Sequence, residues 1–203
     1  MDDETLERLV VEAQRGDAFA FGRIFDEYSG PIYRFVVSRV GRPSDAEDLT
    51  QTIFVKALEA LPRYEARGVP FGGWLFKLAR NAVIDHVRVH RDQLTLEAAE
   101  DRPVDEAGPE AVAVLRDELD AVARALTTLT EDQREVIELR FFAGLSAREA
   151  AYAMGRQEGT IRGLQFRAIA ALRRALGRQL EDLGGEGPER REDPDLTPMR
   201  ARS

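Results

Sequence analysis

The sequence has no cysteine, only two histidines and a single tryptophan in 203 residues. Lack of cysteine removes any disulfide framework and any thiolate metal site. With only His86 and His90 besides, a histidine–thiolate zinc centre is unavailable, and no metal is expected. No apolar run approaches the roughly 20 residues of a membrane span. The opening MDDETLERLV is acidic where a signal peptide is basic, so a soluble cytoplasmic chain without membrane insertion is expected. Glycine-rich phosphate loops and nucleophile elbows are also missing, so no catalytic residue, no cofactor and no enzyme activity are expected.

What is present is charge, unevenly placed. The formal net charge of −8 argues at first against nucleic acid. Residues 1–91 carry −1, residues 92–126 carry −7, residues 127–180 carry +3 and residues 181–203 carry −3. The acidity thus sits in a joining segment and a tail, and 127–180 is a basic island.

Helical periodicity dominates, which predicts an all-α protein. Residues 4–15 and 17–40 give two or three helices, stopped at Gly41-Arg42-Pro43. Ser44-Asp45-Ala46-Glu47 has the form of a capping box, with Leu49, Ile53 and Ala57 on the buried face of the helix it opens. Residues 61–73 read as a Pro-, Gly- and Arg-rich loop, and 74–90 as a helix. The acidic, aperiodic stretch after residue 91 reads as a flexible linker. A second helical unit follows: 111–126, then a helix opened by Thr130-Glu131-Asp132-Gln133 and stopped at Gly144, then a third box at Ser146-Ala147-Arg148-Glu149. Two small helical domains are therefore expected, at 1–91 and 112–180, joined by a flexible acidic linker at 92–111. A tail at 181–203 is low in apolar residues.

SAREAAYAMGRQEGTIRGLQFRAIAALRRAL (146–176) has the form of a helix-turn-helix. Ala151 permits close helix approach, Gly155 suits the turn, and Ile161 and Leu164 pack the second helix onto the first. Arg156 stands where the turn usually carries an aliphatic residue, and could place a cation near phosphate. Residues near the start of such a helix reach base edges, and later cations bind phosphate. Thr160 and Arg162 are thus expected on bases, Phe166 on a thymine methyl, and Arg167, Arg173 and Arg174 on the backbone. A surface helix with ordinary solubilising arginines is the plainer reading of any one of them.

In VPFGGWLFKLARNAVIDHVR (69–88), Leu75, Leu78, Ala79, Ala82, Val83 and His86 form the apolar stripe. Lys77, Asn81, Asp85 and Arg88 fall opposite, and Trp74 falls with them. A first-turn tryptophan can fold back and wedge the loop against the core. An aromatic ring beside an amide and cations also suits unstacked bases. Asp85 is read as orienting Asn81 and Arg88, since a carboxylate beside phosphate is repelled.

Together the two halves resemble a bacterial RNA polymerase sigma factor of the extracytoplasmic-function (ECF) group of the sigma-70 family, which keeps only sigma regions 2 and 4. DAEDLTQTIFVKAL (45–58) is similar to the polymerase-docking helix, and PFGGWLFKLARNAVIDHVR (70–88) to regions 2.3 and 2.4. LTEDQREVIELRFFAGLSAREAAYAMG with GTIRGLQFRAIAALRRAL is similar to region 4. The resemblance covers roughly 10–91 and 112–180. It implies docking on core RNA polymerase and promoter-specific transcription initiation. The second domain would read the duplex −35 element and the first would melt the −10 element. By resemblance, Tyr64, Trp74, Lys77, Asn81 and Arg88 would contact melted −10 DNA, while Asp48, Gln51, Phe54 and Val55 would meet the polymerase. An anti-sigma factor is implied as a further partner.

Two other readings stay open from residues alone. A polymerase-independent helix-turn-helix regulator explains 127–180 but leaves Trp74, Asn81 and the 45–58 helix without a role. A purely protein-binding helical adaptor leaves the cationic second helix unexplained.

Overall fold

The computed structural model describes residues 1–66, 68–94 and 124–183. The expected linker beyond residue 94, most of the expected helix 111–126 and the tail beyond 183 lie outside the described residues. Among the described residues there are helices and no strands. Helices α1 (Asp3–Gln14), α2 (Ala18–Val40), α3 (Pro43–Ala60) and α4 (Phe71–Leu94) form the first half, with a 3₁₀ turn at Leu61–Arg63. Helix α5 (Glu131–Ile137) runs into a π-helical stretch, Glu138–Phe142. Helices α6 (Ala147–Met154) and α7 (Glu158–Leu183) complete the second half.

Local chemistry sets most of these ends. Asp17 accepts hydrogen bonds from the backbone N–H of Phe19 and Ala20 at the start of α2, at 2.8 and 3.1 Å. Gly41, at φ 79°, closes that helix in the left-handed region that favours glycine. The capping boxes at Thr130/Gln133 and Ser146/Glu149 both form, each with two reciprocal bonds. The expected box at Ser44 does not. Pro43 occupies the first helical position, where its fixed φ and missing N–H cost nothing, and Ser44 is drawn inside the helix. Its hydroxyl instead lies 3.5 Å from the Asp45 carboxylate.

Helix α4 also starts earlier than the sequence suggests, at Phe71, so Gly72 and Gly73 are helical and not loop. The Trp74 N–H donates to the Pro70 carbonyl at 3.0 Å, closing the first turn. Its other end runs to Leu94, into the expected linker.

The first half is built around Ile24, Ile32, Phe35, Ile53, Leu61, Leu75 and Phe76, all essentially without exposed surface. Phe35 and Phe76 meet edge to face at 5.8 Å between ring centroids. In the second half Val136, Leu139, Ala150, Ile161 and Ala168 are sealed in the same way, with Gly155 left-handed at φ 62° in the turn between α6 and α7. The two halves are not separate: buried residues from Leu9 to Leu164 form one continuous apolar cluster, because α6 packs along α4.

Under that packing lies an aromatic group of Tyr28, Tyr64, Phe71 and Trp74, with centroid separations of 4.9–5.8 Å. The Tyr64 hydroxyl donates to the Val69 carbonyl at 2.7 Å, which pins the 64–70 loop. Burial, with smaller contributions from Tyr152 and Glu7, pushes the Tyr64 phenol up to about 12. Burial also raises Tyr28, helped by the nearby Glu149 carboxylate.

Truncating Phe76 to alanine removes a sealed ring and its edge-to-face partner, and should cost about 3–5 kcal/mol in urea unfolding. The Tyr64 shift carries a sign. Its folded value is above the ordinary 10, so the folded chain holds a proton that the unfolded chain releases. Stability should therefore fall as pH climbs from 10 towards about 12. Tyr64→Phe should flatten that fall in alkaline thermal melts; an unchanged profile would assign the pH dependence elsewhere.

Candidate nucleic-acid interface

Helix α4 carries Trp74, Lys77, Asn81 and Arg88 along one side. Lys77, Asn81 and Arg88 are exposed and Trp74 is half-buried. The indole leans on Tyr64 at 4.9 Å and on Phe71 at 5.3 Å, so it does wedge the loop against the helix. It is not fully buried and keeps an open edge. Tyr64 is different: only 8% of its surface is exposed, its ring is spent on Phe71 and Trp74 and its hydroxyl on the loop. Its expected place on a base-contacting surface is corrected to a support beneath Trp74. Asp85 lies 3.5 Å from the Arg88 guanidinium, an exposed pair consistent with an orienting carboxylate.

On α7, Thr160, Arg162, Phe166, Arg167, Arg173 and Arg174 are all exposed, while Ile161, Leu164 and Ala168 face inward. Phe166 is 76% exposed, which leaves its ring open to an apolar partner. Arg162 is held by Glu158 one turn earlier, at 2.5 and 3.1 Å, an exposed pair. Arg156 pairs with Asp132 at 3.2 Å, so this turn cation is partly neutralised within the second half.

On α3, Asp48, Gln51 and Val55 are exposed and lie one turn apart. Phe54 does not join them. It is 4% exposed and packs against Phe25 at 4.6 Å and Phe21 at 6.4 Å. Its expected polymerase contact is corrected to a core role, because residue 54 falls a full 100° from Val55 on the wheel. Leu58, half exposed, takes the apolar place beside Val55.

The structure adds residues that sequence reasoning missed, all where the halves meet. The Arg80 guanidinium grips the Glu135 carboxylate with two hydrogen bonds, at 2.5 and 3.2 Å. Arg39 bonds the other oxygen of the Glu138 carboxylate that Arg134 holds at 2.9 Å. Arg34 donates to the Phe142 carbonyl at 2.8 Å, Arg134 to that of Ser38 at 3.2 Å, and Arg148 to that of Gly68 at 3.1 Å. The Lys77 ammonium sits 5.2 Å above the Tyr152 ring. Glu138 has no exposed surface, and burial raises its pKa although both arginines oppose the shift. A usable signal did exist: two adjacent glycines in a first helical turn are poor helix formers, and such pairs mark close backbone approach.

Both halves match known protein families. Residues 24–93 match the sigma-70 region 2 family and residues 125–174 match sigma-70 region 4. The chain is 40% identical to the ECF RNA polymerase sigma factor BldN of Streptomyces coelicolor, over 86% of this chain and 67% of that protein. It is 34% identical to the ECF sigma factor SigD of Mycobacterium tuberculosis, over 85% of this chain and 84% of SigD. A solved structure of the sigma factor RpoE with the anti-sigma factor NepR, from Bartonella quintana, superposes with a TM-score of 0.61 at 26% identity. The match covers 77% of this chain and 96% of that one. With sigma-70 regions 2 and 4 matched in this order and ECF relatives at 34–40% identity, the chain belongs to the ECF sigma factors of the sigma-70 family.

Proposed function

We propose that this sigma factor divides promoter recognition between its halves. Trp74, Lys77, Asn81 and Arg88 of α4 hold unstacked bases and phosphates of the melted −10 strand, while α7 reads the duplex −35 element. Thr160 and Arg162 meet base edges there, Phe166 a thymine methyl, and Arg167, Arg173 and Arg174 the backbone. Asp48, Gln51 and Val55, with Leu58 beside them, dock α3 on core polymerase in the cytoplasm. The observation that carries this reading is the pairing, in one chain, of an aromatic–cationic helix with a helix-turn-helix whose outward face is exposed arginine. An anti-sigma factor fits as a regulatory partner, since the structurally similar RpoE is solved with one. Among the described residues no helix is long and apolar enough to cross a membrane.

Core polymerase supplied with this chain should initiate run-off transcription from a random-promoter library at one promoter class with shared −35 and −10 elements. No initiation on any template would overturn the reading. Arg162→Ala should relax base preference at one −35 position by about 1–3 kcal/mol, whereas Arg173→Ala should weaken all sequences alike and lower the salt slope by about 1. Trp74→Ala should impair promoter opening, read by permanganate reactivity of thymines, more than duplex binding; equal losses would leave Trp74 a packing residue alone.

A further inference from the structure

Glu158 is the one carboxylate among the described side chains of α7, against Arg162, Arg167, Arg173 and Arg174. It opens the helix, and the proposed function gives it no part. On the helical wheel it lies about 40° from Arg162, so the two side chains share one flank of the outward face. The first turn of a recognition helix is also the part that meets base edges in a major groove. An unpaired carboxylate there would face phosphates that repel it. Glu158 is not unpaired, because Arg162 reaches back to it from one turn later.

The way the pair is joined leaves a patterned edge. Both Arg162 hydrogen bonds, from Nε at 3.1 Å and from Nη2 at 2.5 Å, go to the same oxygen, Oε1 of Glu158. Among the described residues no group donates to Oε2. A guanidinium carries five N–H donors, so Nη1 keeps both of its hydrogens and Nη2 keeps one. Both side chains are open to solvent, Arg162 at 71% and Glu158 at 42% exposure. Two donors and one acceptor thus stand beside one another on a single joined unit. An exposed pair with the acid one turn before the base also steadies a helix, but such pairs contribute little.

A G·C base pair shows the complementary pattern. Its major-groove edge runs from guanine N7 and O6, both acceptors, to the cytosine N4 amine, a donor. Arg162 alone matches only the guanine. We propose that Glu158 is a specificity-determining residue of −35 reading. Nη1 and Nη2 of Arg162 donate to N7 and O6 of one guanine, and Oε2 of Glu158 accepts from N4 of the paired cytosine. The Glu158–Arg162 unit thus reads a whole base pair. Adenine in place of guanine, or the same pair reversed, sets donor against donor and acceptor against acceptor. This rests on the reading of α7 as the −35 helix with Arg162 on base edges.

The test removes single groups from DNA and protein together. A random duplex library selected on the full chain, with and without core polymerase, gives the preferred site. The base pair at which Arg162→Ala relaxes preference marks the contact, and it should be G·C. At that pair 2-pyrimidinone replaces cytosine, which deletes the N4 amine, or 7-deazaguanine replaces guanine, which deletes N7. In the parent chain loss of the amine should weaken duplex binding about five- to tenfold. In Glu158→Ala the same deletion should cost less than about twofold, while 7-deazaguanine keeps its parental penalty. Glu158→Gln, whose amide oxygen still accepts, should keep most of the amine penalty. Far-UV circular dichroism checks that the variants keep their helices. An equal amine penalty in the parent and Glu158→Ala, or none in the parent, overturns the proposal. So does an Arg162-dependent pair other than G·C, or no such pair. A 7-deazaguanine penalty that disappears with Glu158 overturns it too, because Glu158 would then only position Arg162. Run-off transcription with core polymerase separates this from the functional reading. Normal transcription with any overturning result defeats the base-pair reading alone, and the expected binding pattern without transcription from any template defeats the sigma assignment alone.

Discussion

Two carboxylates without solvent, Glu135 and Glu138, decide the shape of this molecule. A buried carboxylate must be paired, and the nearest cations, Arg80 and Arg39, belong to the other half of the chain. Satisfying them brings α5 against α2 and α4, and the rest of the second half follows. Burial pushes the Glu138 pKa up against the pull of both arginines. Such a cluster adds little net stability compared with an apolar contact, but it fixes which surfaces meet. Removing one partner would strand the other in a dry site, a loss on the order of 3–5 kcal/mol.

The glycine pair makes that pairing possible. Arginine and glutamate could meet across many orientations of two helices, but Gly73 allows α6 to press its backbone against α4. Close approach then buries Tyr64 and Phe71 beneath the contact and leaves Tyr28 and Trp74 half-buried. The π-helical stretch at Glu138–Phe142 belongs to the same arrangement. Its wider turn sends the Ala143 N–H back to the Glu138 carbonyl at 2.9 Å and leaves the Phe142 carbonyl free for Arg34. A backbone irregularity in the second half is thus matched by a side chain of the first.

The chemistry of α4 at this contact is not specific to a protein partner. Lysine, arginine and an aromatic ring on one helix suit a nucleic acid strand, and the same features here meet Tyr152 of α6 and Glu135 of α5. Cations do not distinguish phosphate from carboxylate strongly; spacing and exclusion of water do.

Much of this was legible from residues alone. Helical periodicity, the boxes at Thr130 and Ser146, and Gly155 in its turn fixed the helices and the helix-turn-helix, because capping and left-handed turns are local chemistry. The exposed arginines of α7 and the polar side of α4 followed from the 100° wheel for the same reason. Helix ends set by proline, as at Pro43, escaped a motif-based reading, and so did the burial of Phe54 and Tyr64, which depends on rings from α2 and on Phe71. Nothing local told Arg80 to seek Glu135, 55 residues away. The sequence by itself determined an all-helical sigma factor with a DNA-reading second half, since those traits reside in periodicity and side-chain type. Only the tertiary structure decided that the halves close on each other, because buried charge and a glycine seat act between surfaces that are distant along the chain.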